Sequence, residues 1–241
     1  MKYYRHYSFD LWLTLIRSNP MFKAERSRYF YKYFNLSGKT EEQVAGIFRQ
    51  VDLMCNAINE RTGRNIDAEE MYLMVISMVN DGNILLKEIN LDELMADMEA
   101  LLFNYPPMLY SATVPKVLSH IKESTTCGMN ILSNTGFIKG RILRKVLAEL
   151  SLDQFFDFQL YSDEAGYSKP SENFFNLMVA EAKQLQHDMG LHEIIHIGDN
   201  AVADGQGAQN IGIKHLLVHS NLFPIDNLII DDHILLTTSN K

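Results

Sequence analysis

The sequence has few of the residues that support unusual architectures. Its 241 residues include two cysteines and six prolines, and no stretch approaches the roughly 18 uncharged residues of a membrane span. Cys55 and Cys127 lack the spacing of a redox pair or a zinc knuckle, so we expect two buried thiols in a reducing compartment. The composition excludes collagen-like and low-complexity chains. We therefore expect an ordinary globular protein of the cytoplasm without a membrane span.

Positive charge is also scarce. Lys and Arg number 22 against 30 for Asp and Glu, which gives a formal net charge of −8. This balance argues against nucleic acid or an anionic membrane as a partner, and no pattern indicates an oligomeric state. If a phosphate binds, a local site must attract it.

The chain has two different patterns along its length. A short apolar segment ends at Asp10, and residues 20–104 then carry apolar side chains three and four positions apart, as at Met71, Met74 and Met78. This spacing predicts about four helices, with breaks near residues 36–40, 62–65 and 80–83. We expect Thr40 to cap the second helix and the methionines to lie in the core.

After residue 107, short apolar segments alternate with helical ones. The predicted strands are 129–132, 156–161, 194–197, 214–218 and 228–230, and the predicted helices are 114–123, 139–150, 172–187 and 203–210. This alternation predicts a Rossmann-like parallel sheet with ligands at the carboxyl ends of its strands. We expect an α/β fold in which residues 1–16 and 108–241 form the core domain and residues 17–107 form an inserted all-helical cap domain.

Polar residues follow the predicted strands. They are Asp10, Ser133, Lys169, Asp199 and Asp204. Each alone is more typical of a turn or a solvated surface. Together they match the needs of phosphoryl transfer: a carboxylate nucleophile, a cation, carboxylates for a hard metal ion and donors for phosphoryl oxygens.

Four segments in this order resemble the motifs of the haloacid dehalogenase (HAD) superfamily. They are 9–15 (FDLWLTL), 131–136 (ILSNTG), 167–170 (YSKP) and 197–204 (IGDNAVAD). The chain is identified on these motifs as a member of this superfamily, and the helical insert resembles the helical cap of one of its subfamilies. The resemblance implies a Mg²⁺-dependent hydrolase that acts on a small phosphorylated metabolite through an aspartyl-phosphate intermediate.

The resemblance also implies roles for single residues. Asp10 is the expected nucleophile and a Mg²⁺ ligand, together with Asp199 and the backbone carbonyl of Trp12, while Asp204 binds the metal or orients its waters. Thr14 is expected to support the loop of the first motif.

Substrate contacts are expected from residues in or near the first three motifs. Ser133 and Asn134 would bind phosphoryl oxygens, and Lys169 would hold the phosphate against the nucleophile. Trp12 and Arg17 are also expected to contact the substrate, since Arg17 directly follows the first motif.

Trp12 departs from the family pattern, because HAD phosphatases usually carry a second Asp at this position. Indole cannot transfer the proton, and general acid–base help is worth roughly 10² to 10⁴ in rate. A dehalogenase-like reaction, a phosphonate-cleaving one using a lysine such as Lys23, Lys32 or Lys39, or a catalytically weak binding module therefore stay open. The acidic pair of the fourth motif favours the metal-dependent phosphohydrolase, since facing carboxylates repel one another without a cation.

Three other patterns have simpler interpretations. Residues 192–196 (HEIIH) match a zinc-protease motif, but the β-branched run predicts a strand, in which the two imidazoles do not converge. Residues 205–207 (GQG) predict close helix packing rather than a dinucleotide site, and residues 231–233 (DDH) predict a surface tail.

Overall fold

The computed structural model describes residues 4–124, 126–219 and 223–230. In chain order its elements are β1 His6–Phe9, β2 Ile16–Arg17, α1 Pro20–Tyr33, α2 Glu41–Thr62, α3 Ala68–Val79, α4 Leu91–Asn104, β3 Met108–Leu109, α5 Val114–Ser124, β4 Gly128–Ser133, α6 Gly140–Glu149, β5 Phe158–Tyr161, α7 Ser162–Ala165, α8 Glu172–Leu185, β6 Ile194–Gly198, α9 Gly207–Asn210, β7 Lys214–Leu217 and α10 Asn227–Ile230. Short 3₁₀ turns cover Leu86–Glu88, Asp153–Phe155 and Leu191–Glu193, and a π-helical turn covers Ala201–Gln206.

The centre of the fold is a five-stranded parallel sheet in the order β5-β4-β1-β6-β7. Strand β1 pairs with β4 on one side and β6 on the other, and every residue of these three strands is buried. Apolar strands buried on both faces are typical of parallel sheets covered by helices. The predicted α/β fold with a Rossmann-like parallel sheet is confirmed.

Between β2 and β3 the chain forms the four helices α1 to α4, here called the helical insert (residues 20–104). Thr40 caps α2 in a reciprocal capping box with Gln43, as its position predicts. Gly63 ends α2 in the left-handed conformation, with φ of 67°. Met71 is buried in the apolar cluster of the insert, so the core role expected of the methionines is confirmed there.

A two-stranded antiparallel ribbon that the sequence did not indicate flanks the helical insert. Ile16 of β2 pairs with Leu109 of β3, and Arg17 pairs with Met108. The ribbon lies at the expected limits of the inserted domain, while the limits themselves stay a prediction. It fixes both ends of the insert to each other.

One predicted strand is wrong. Residues 228–230 belong to helix α10, and the buried Ile225 and Leu228 lie three positions apart. A run of three apolar residues is too short to show a helical or a strand period. Residues 231–233 lie outside the described residues.

Smaller differences concern element limits near the site. Strand β5 begins at Phe158 rather than at residue 156, because a 3₁₀ turn precedes it. Lys169 follows the helical turn α7 and not a strand directly.

Two predictions about patterns outside the four motifs are confirmed. His196 lies in strand β6, so residues 192–196 do not form the helix that a zinc-protease motif requires. A Cβ at Gly207 would lie 2.3 Å from the Phe175 ring, which is the close packing expected there.

Both cysteines are buried. None of the described helices has the length and apolar character needed to cross a bilayer.

Candidate active site

A buried lysine joins two buried carboxylates at the carboxyl end of the sheet. Asp10 directly follows β1, and the Lys169 Nζ donates to its Oδ1 at 2.6 Å. The same ammonium donates to Asp204 Oδ1, also at 2.6 Å. The Thr14 hydroxyl donates to the other Asp10 oxygen, Oδ2, at 3.1 Å. Both Asp10 oxygens are therefore oriented by fixed donors.

The turn after Asp10 is tightly wound. The amides of Leu15 and Ile16 donate to the Leu11 carbonyl, and the Leu13 amide donates to the Ile16 carbonyl. Leu13 has a φ of 59°, a left-handed conformation that is uncommon for a residue other than glycine and typical of constrained functional turns. These three hydrogen bonds do not use the Trp12 carbonyl, whose expected role as a metal ligand stays a prediction.

The loop carrying Lys169 is tied to the loop that follows β4. The Asn134 side chain donates from Nδ2 to the Lys169 carbonyl at 3.0 Å, and its Oδ1 accepts from the Lys169 amide at 2.7 Å. Ser133 is the last residue of β4 and donates its hydroxyl to the Asn134 carbonyl at 3.1 Å. Asn134 thus holds the backbone of the lysine, and its predicted contact with substrate stays a prediction.

Asp204 is held by more partners than Lys169 alone. Its Oδ1 accepts from His196 Nε2 at 3.0 Å, and its Oδ2 accepts from the Asn200 amide at 2.9 Å. The other ring nitrogen of His196 lies 3.0 Å from the Ser8 hydroxyl. Gly198 leaves the space for this arrangement, because a Cβ there would come within 2.2 Å of the Asp204 carboxyl group.

Sequence reasoning missed this second support of Asp204, because it placed His196 in a strand without a partner. Ser8 and His196 are register partners in β1 and β6. The available signal was a polar residue inside each of two neighbouring buried strands, and the parallel pairing of those strands brings the two side chains together.

Three carboxylates converge near the nucleophile. Oxygens of Asp10, Asp199 and Asp204 lie within 4.8 Å of one another. Burial, with the charges of Asp204 and Asp199, raises the pKa of Asp10 to about 7 against the pull of Lys169. Burial and the charge of Asp204 raise the pKa of Asp199 to about 6. The cluster therefore holds more negative charge than Lys169 balances.

The pKa values of Asp204, Lys169 and His196 are set by burial and by the charges around them. Burial opposes the charge of Asp204, but Lys169 and His196 more than offset it and keep the pKa of Asp204 below its usual range. Burial also disfavours the ammonium of Lys169, yet the two carboxylates that it contacts raise its pKa. Burial lowers the pKa of His196, so a neutral ring donates from Nε2 to Asp204.

The tip of helix α2 covers the loops around this cluster. The contacts are Asn200 Nδ2 to Glu60 Oε1 at 3.3 Å, the Ser168 amide to the Gly63 carbonyl at 3.0 Å, and the Ser162 hydroxyl to Asn65 Oδ1 at 2.7 Å. The helical insert thus meets the loops of the third and fourth motifs and the helical turn that follows β5. No local pattern in the sequence indicates these contacts.

Two predicted substrate contacts lie apart from the hydrogen-bonded cluster. Trp12 is partly buried and packs against the apolar core of the sheet. Arg17 is exposed on strand β2. The structure therefore brings together the expected catalytic and metal-binding side chains, while the roles of Trp12 and Arg17 toward a substrate stay predictions.

The family model for haloacid dehalogenase-like hydrolases matches residues 9–218, a segment that contains every residue of this cluster except Ser8. The chain belongs to this family. Its sequence is 27% identical over 113 residues to haloacid dehalogenase-like hydrolase domain-containing protein 3 of Xenopus laevis, which covers 47% of this chain and 43% of that protein. The human protein of the same name is 35% identical over 98 residues, 41% of this chain and 36% of that protein. The matches thus span less than half of these relatives.

Solved structures share the fold at low sequence identity. YfnB, a HAD-hydrolase from Bacillus subtilis crystallised with magnesium, superposes with a TM-score of 0.69 at 17% identity, over 92% of this chain and 91% of that chain. A HAD phosphatase from Thermococcus onnurineus gives 0.60 at 19% identity, over 92% and 88%. A 2-haloacid dehalogenase from Pseudomonas syringae gives 0.61 at 17% identity, over 91% and 88%. These likenesses show the HAD fold and leave the reaction open.

Proposed function

We propose that the protein is a Mg²⁺-dependent phosphohydrolase of the cytoplasm that cleaves a small organic phosphate through an aspartyl-phosphate intermediate on Asp10. The observation that carries the proposal is the contact of Asp10 with Lys169 inside a cluster of three carboxylates. A nucleophilic carboxylate, a fixed cation and an excess of acidic ligands are together the requirements of metal-assisted phosphoryl transfer.

The donor set fits Mg²⁺. Magnesium prefers carboxylate, carbonyl and water oxygens, and it is usually held by one or two carboxylates with several waters. Asp10 and Asp199 are the residues that would hold it, since a cation there would offset both the burial and the neighbouring negative charges that raise the two pKa values. Asp204 already accepts hydrogen bonds on both oxygens and would orient the waters of the metal. When bound, the metal would neutralise charge on the phosphoryl oxygens.

In the proposed reaction an oxygen of Asp10 attacks phosphorus and the bond to the leaving oxygen breaks. Thr14 and Lys169 each hold one Asp10 oxygen and fix the direction of attack. The Lys169 ammonium also attracts the incoming phosphoryl group. Water then cleaves the phosphorus–oxygen bond of the aspartyl phosphate, which releases phosphate and restores Asp10.

Ser133 supplies the next donor. Its hydroxyl is buried and now donates to the Asn134 carbonyl, so rotation about one bond would turn it toward a phosphoryl oxygen. Asn134 keeps the backbone of Lys169 at a fixed position and so acts as a positioning residue.

Trp12 leaves the usual general acid position without a proton donor. Release of an alkoxide leaving group should therefore depend on water and be slow, while a phenolate or carboxylate leaving group needs little protonation. We expect higher turnover on aryl or acyl phosphates than on alkyl phosphates.

A dehalogenase-like reaction is the second candidate, favoured by the aromatic Trp12 after the nucleophile. The acidic cluster opposes it, because displacement of halide by a carboxylate gains nothing from two additional negative groups. Release of halide from 2-haloacids without added metal would overturn the phosphohydrolase proposal.

The test is release of phosphate from p-nitrophenyl phosphate and from an alkyl phosphate, with Mg²⁺ and with a chelator. We expect Mg²⁺-dependent turnover, faster on the aryl substrate, that Asp10→Asn abolishes. Asp153→Asn is the matched control, because Asp153 is exposed and lies outside the cluster. Full activity of Asp10→Asn, or no turnover of any phosphate with metal present, would contradict the proposal.

A further inference from the structure

A buried arginine lies where the helical insert meets the loop that follows Ser133. Arg26 is in α1, and only 8% of its surface is exposed. Its guanidinium carbon lies 4.1 Å from the ring centre of Phe48 in α2 and 4.6 Å from that of Phe137. Phe137 is four residues after Ser133, so Arg26 lies next to the loop of the second motif.

The charge of Arg26 has no counterion. Within the described part of the chain its guanidinium forms no ion pair, and its Nε is fully buried without a hydrogen-bond partner. Burial lowers the pKa of Arg26, while the neighbouring Tyr72 hydroxyl and, to a smaller extent, Asp52 raise it. The Tyr72 hydroxyl forms no hydrogen bond of ordinary geometry, so its contact with the guanidinium is weak. By contrast Arg28, two residues further along, is exposed and pairs with Glu25.

The aromatic rings satisfy only part of what the guanidinium needs. Aromatic rings attract its charge through their faces. Its N–H groups point outward in the plane of the guanidinium and require oxygen acceptors, for which paired carboxylate or phosphate oxygens are the best geometric match. An unpaired buried charge is among the costliest arrangements in a protein, so an anionic ligand beside Arg26 would be strongly favoured.

We infer that Arg26 binds a second anionic group of the substrate, a carboxylate or a second phosphate, beside the phosphoryl group held by Ser133 and Lys169. The inference rests on the proposed phosphohydrolase function and adds the substrate class, an organic phosphate with an additional oxyanion. The buried Tyr72 hydroxyl lies beside Arg26 and would supply a second donor for the same oxyanion. Arg17, the arginine that the sequence predicts to contact the substrate, is exposed on β2.

The test uses non-hydrolysable phosphonates, so it does not depend on turnover. Binding of phosphonoacetate, its homologue one methylene longer, methylenebisphosphonate and ethylphosphonate is measured by calorimetry in excess Mg²⁺. We expect at least one probe with two anionic groups to bind about tenfold or more tightly than ethylphosphonate, which has one. A charge-assisted hydrogen bond to a buried arginine would give a difference of this size. The carboxylate and bisphosphonate probes distinguish the two anions, and the longer homologue tests the separation of the two sites.

Arg26→Met should reduce this preference to within about threefold while ethylphosphonate binding is kept, and Arg26→Lys should retain part of it. Arg28→Met is the matched control on the same helix and should change nothing. If wild-type protein binds ethylphosphonate as tightly as every probe with two anionic groups, the inference is overturned whether or not Arg26→Met folds. The proposed function would still stand. If no phosphonate binds, the phosphate site itself fails and both proposals fall.

Discussion

At the scale of single residues, the folded protein makes the ionised carboxylate of Asp199 unfavourable. Its pKa is raised to about 6 by burial and by the charge of Asp204, above the value of about 3.9 expected in an unfolded chain. The folded state therefore binds this proton more tightly, and stability from this group is lost as pH rises from about 4 through 6. We predict that without Mg²⁺ Asp199→Asn unfolds at higher urea concentration than wild type at pH 8, and that the difference disappears at pH 4.

Two controls separate charge from other effects of this substitution. Asp153→Asn, at an exposed position, should show no such pH dependence. Added Mg²⁺ should stabilise the wild type more than Asp199→Asn, because a ligand that binds only the folded state raises its stability. A difference between variant and wild type that is the same at pH 4 and pH 8 would mean that ionisation of Asp199 is not its cause.

The meeting of the residues expected to be catalytic was predictable because strand ends meet at one edge of a parallel sheet, whatever the side chains between them. Asp10, Ser133 and Asp199 illustrate this rule. The environment of Arg26 was not predictable, since Arg26 and Arg28 look alike in a basic helix. Their difference depends on rings from two distant segments that meet only in the folded chain.

At the scale of elements, close packing between α9 and α8 positions the lysine loop. A Cβ at Gly207 would lie 2.3 Å from the Phe175 ring and 3.1 Å from the Pro170 Cα, next to Lys169. Overpacking of this kind costs about 1–3 kcal/mol. We predict that Gly207→Ala lowers the free energy of unfolding by this amount, measured by urea denaturation. By shifting Lys169 it should also lower the proposed phosphatase activity.

Gly46 offers the matched control for this prediction. It lies inside helix α2, is exposed, and a Cβ there would meet nothing within 4 Å. Because glycine is about 0.5–1 kcal/mol worse than alanine in a helix interior, Gly46→Ala should stabilise the protein without changing activity. If Gly207→Ala stabilised the protein as much as Gly46→Ala does, contact with Phe175 would impose no cost at Gly207.

Element limits were predictable where local chemistry sets them, as at Thr40 and Gly63. The ribbon of β2 and β3 was not, because two-residue strands have no period and their pairing joins residues more than 90 positions apart. The strand predicted at residues 228–230 was wrong because three apolar residues are also too few to show a period.

At the scale of the whole molecule, ionic and apolar contacts both join the helical insert to the sheet. Lys139 pairs with Glu69 of α3, and Lys145 pairs with Glu99 of α4 at 2.6 Å. Phe137 extends from the loop after β4 into the apolar cluster of the insert and is only 8% exposed. Partly exposed ion pairs contribute about 1 kcal/mol or less, whereas a buried aromatic ring contributes more. The aromatic contact should therefore dominate.

We predict that Phe137→Ala lowers the free energy of unfolding by about 3 kcal/mol or more, since it removes a ring and leaves a cavity between the insert and the sheet. Glu69→Gln, which removes the charge of a partly exposed pair, should cost about 1 kcal/mol or less and lose even this in 1 M salt. Leu36→Ala is the control for side-chain truncation alone, because Leu36 is exposed on the insert. All three are measured by urea denaturation at low and high salt. A larger, salt-sensitive loss for Glu69→Gln than for Phe137→Ala would show that charge pairs and not apolar packing hold the insert over the catalytic loops.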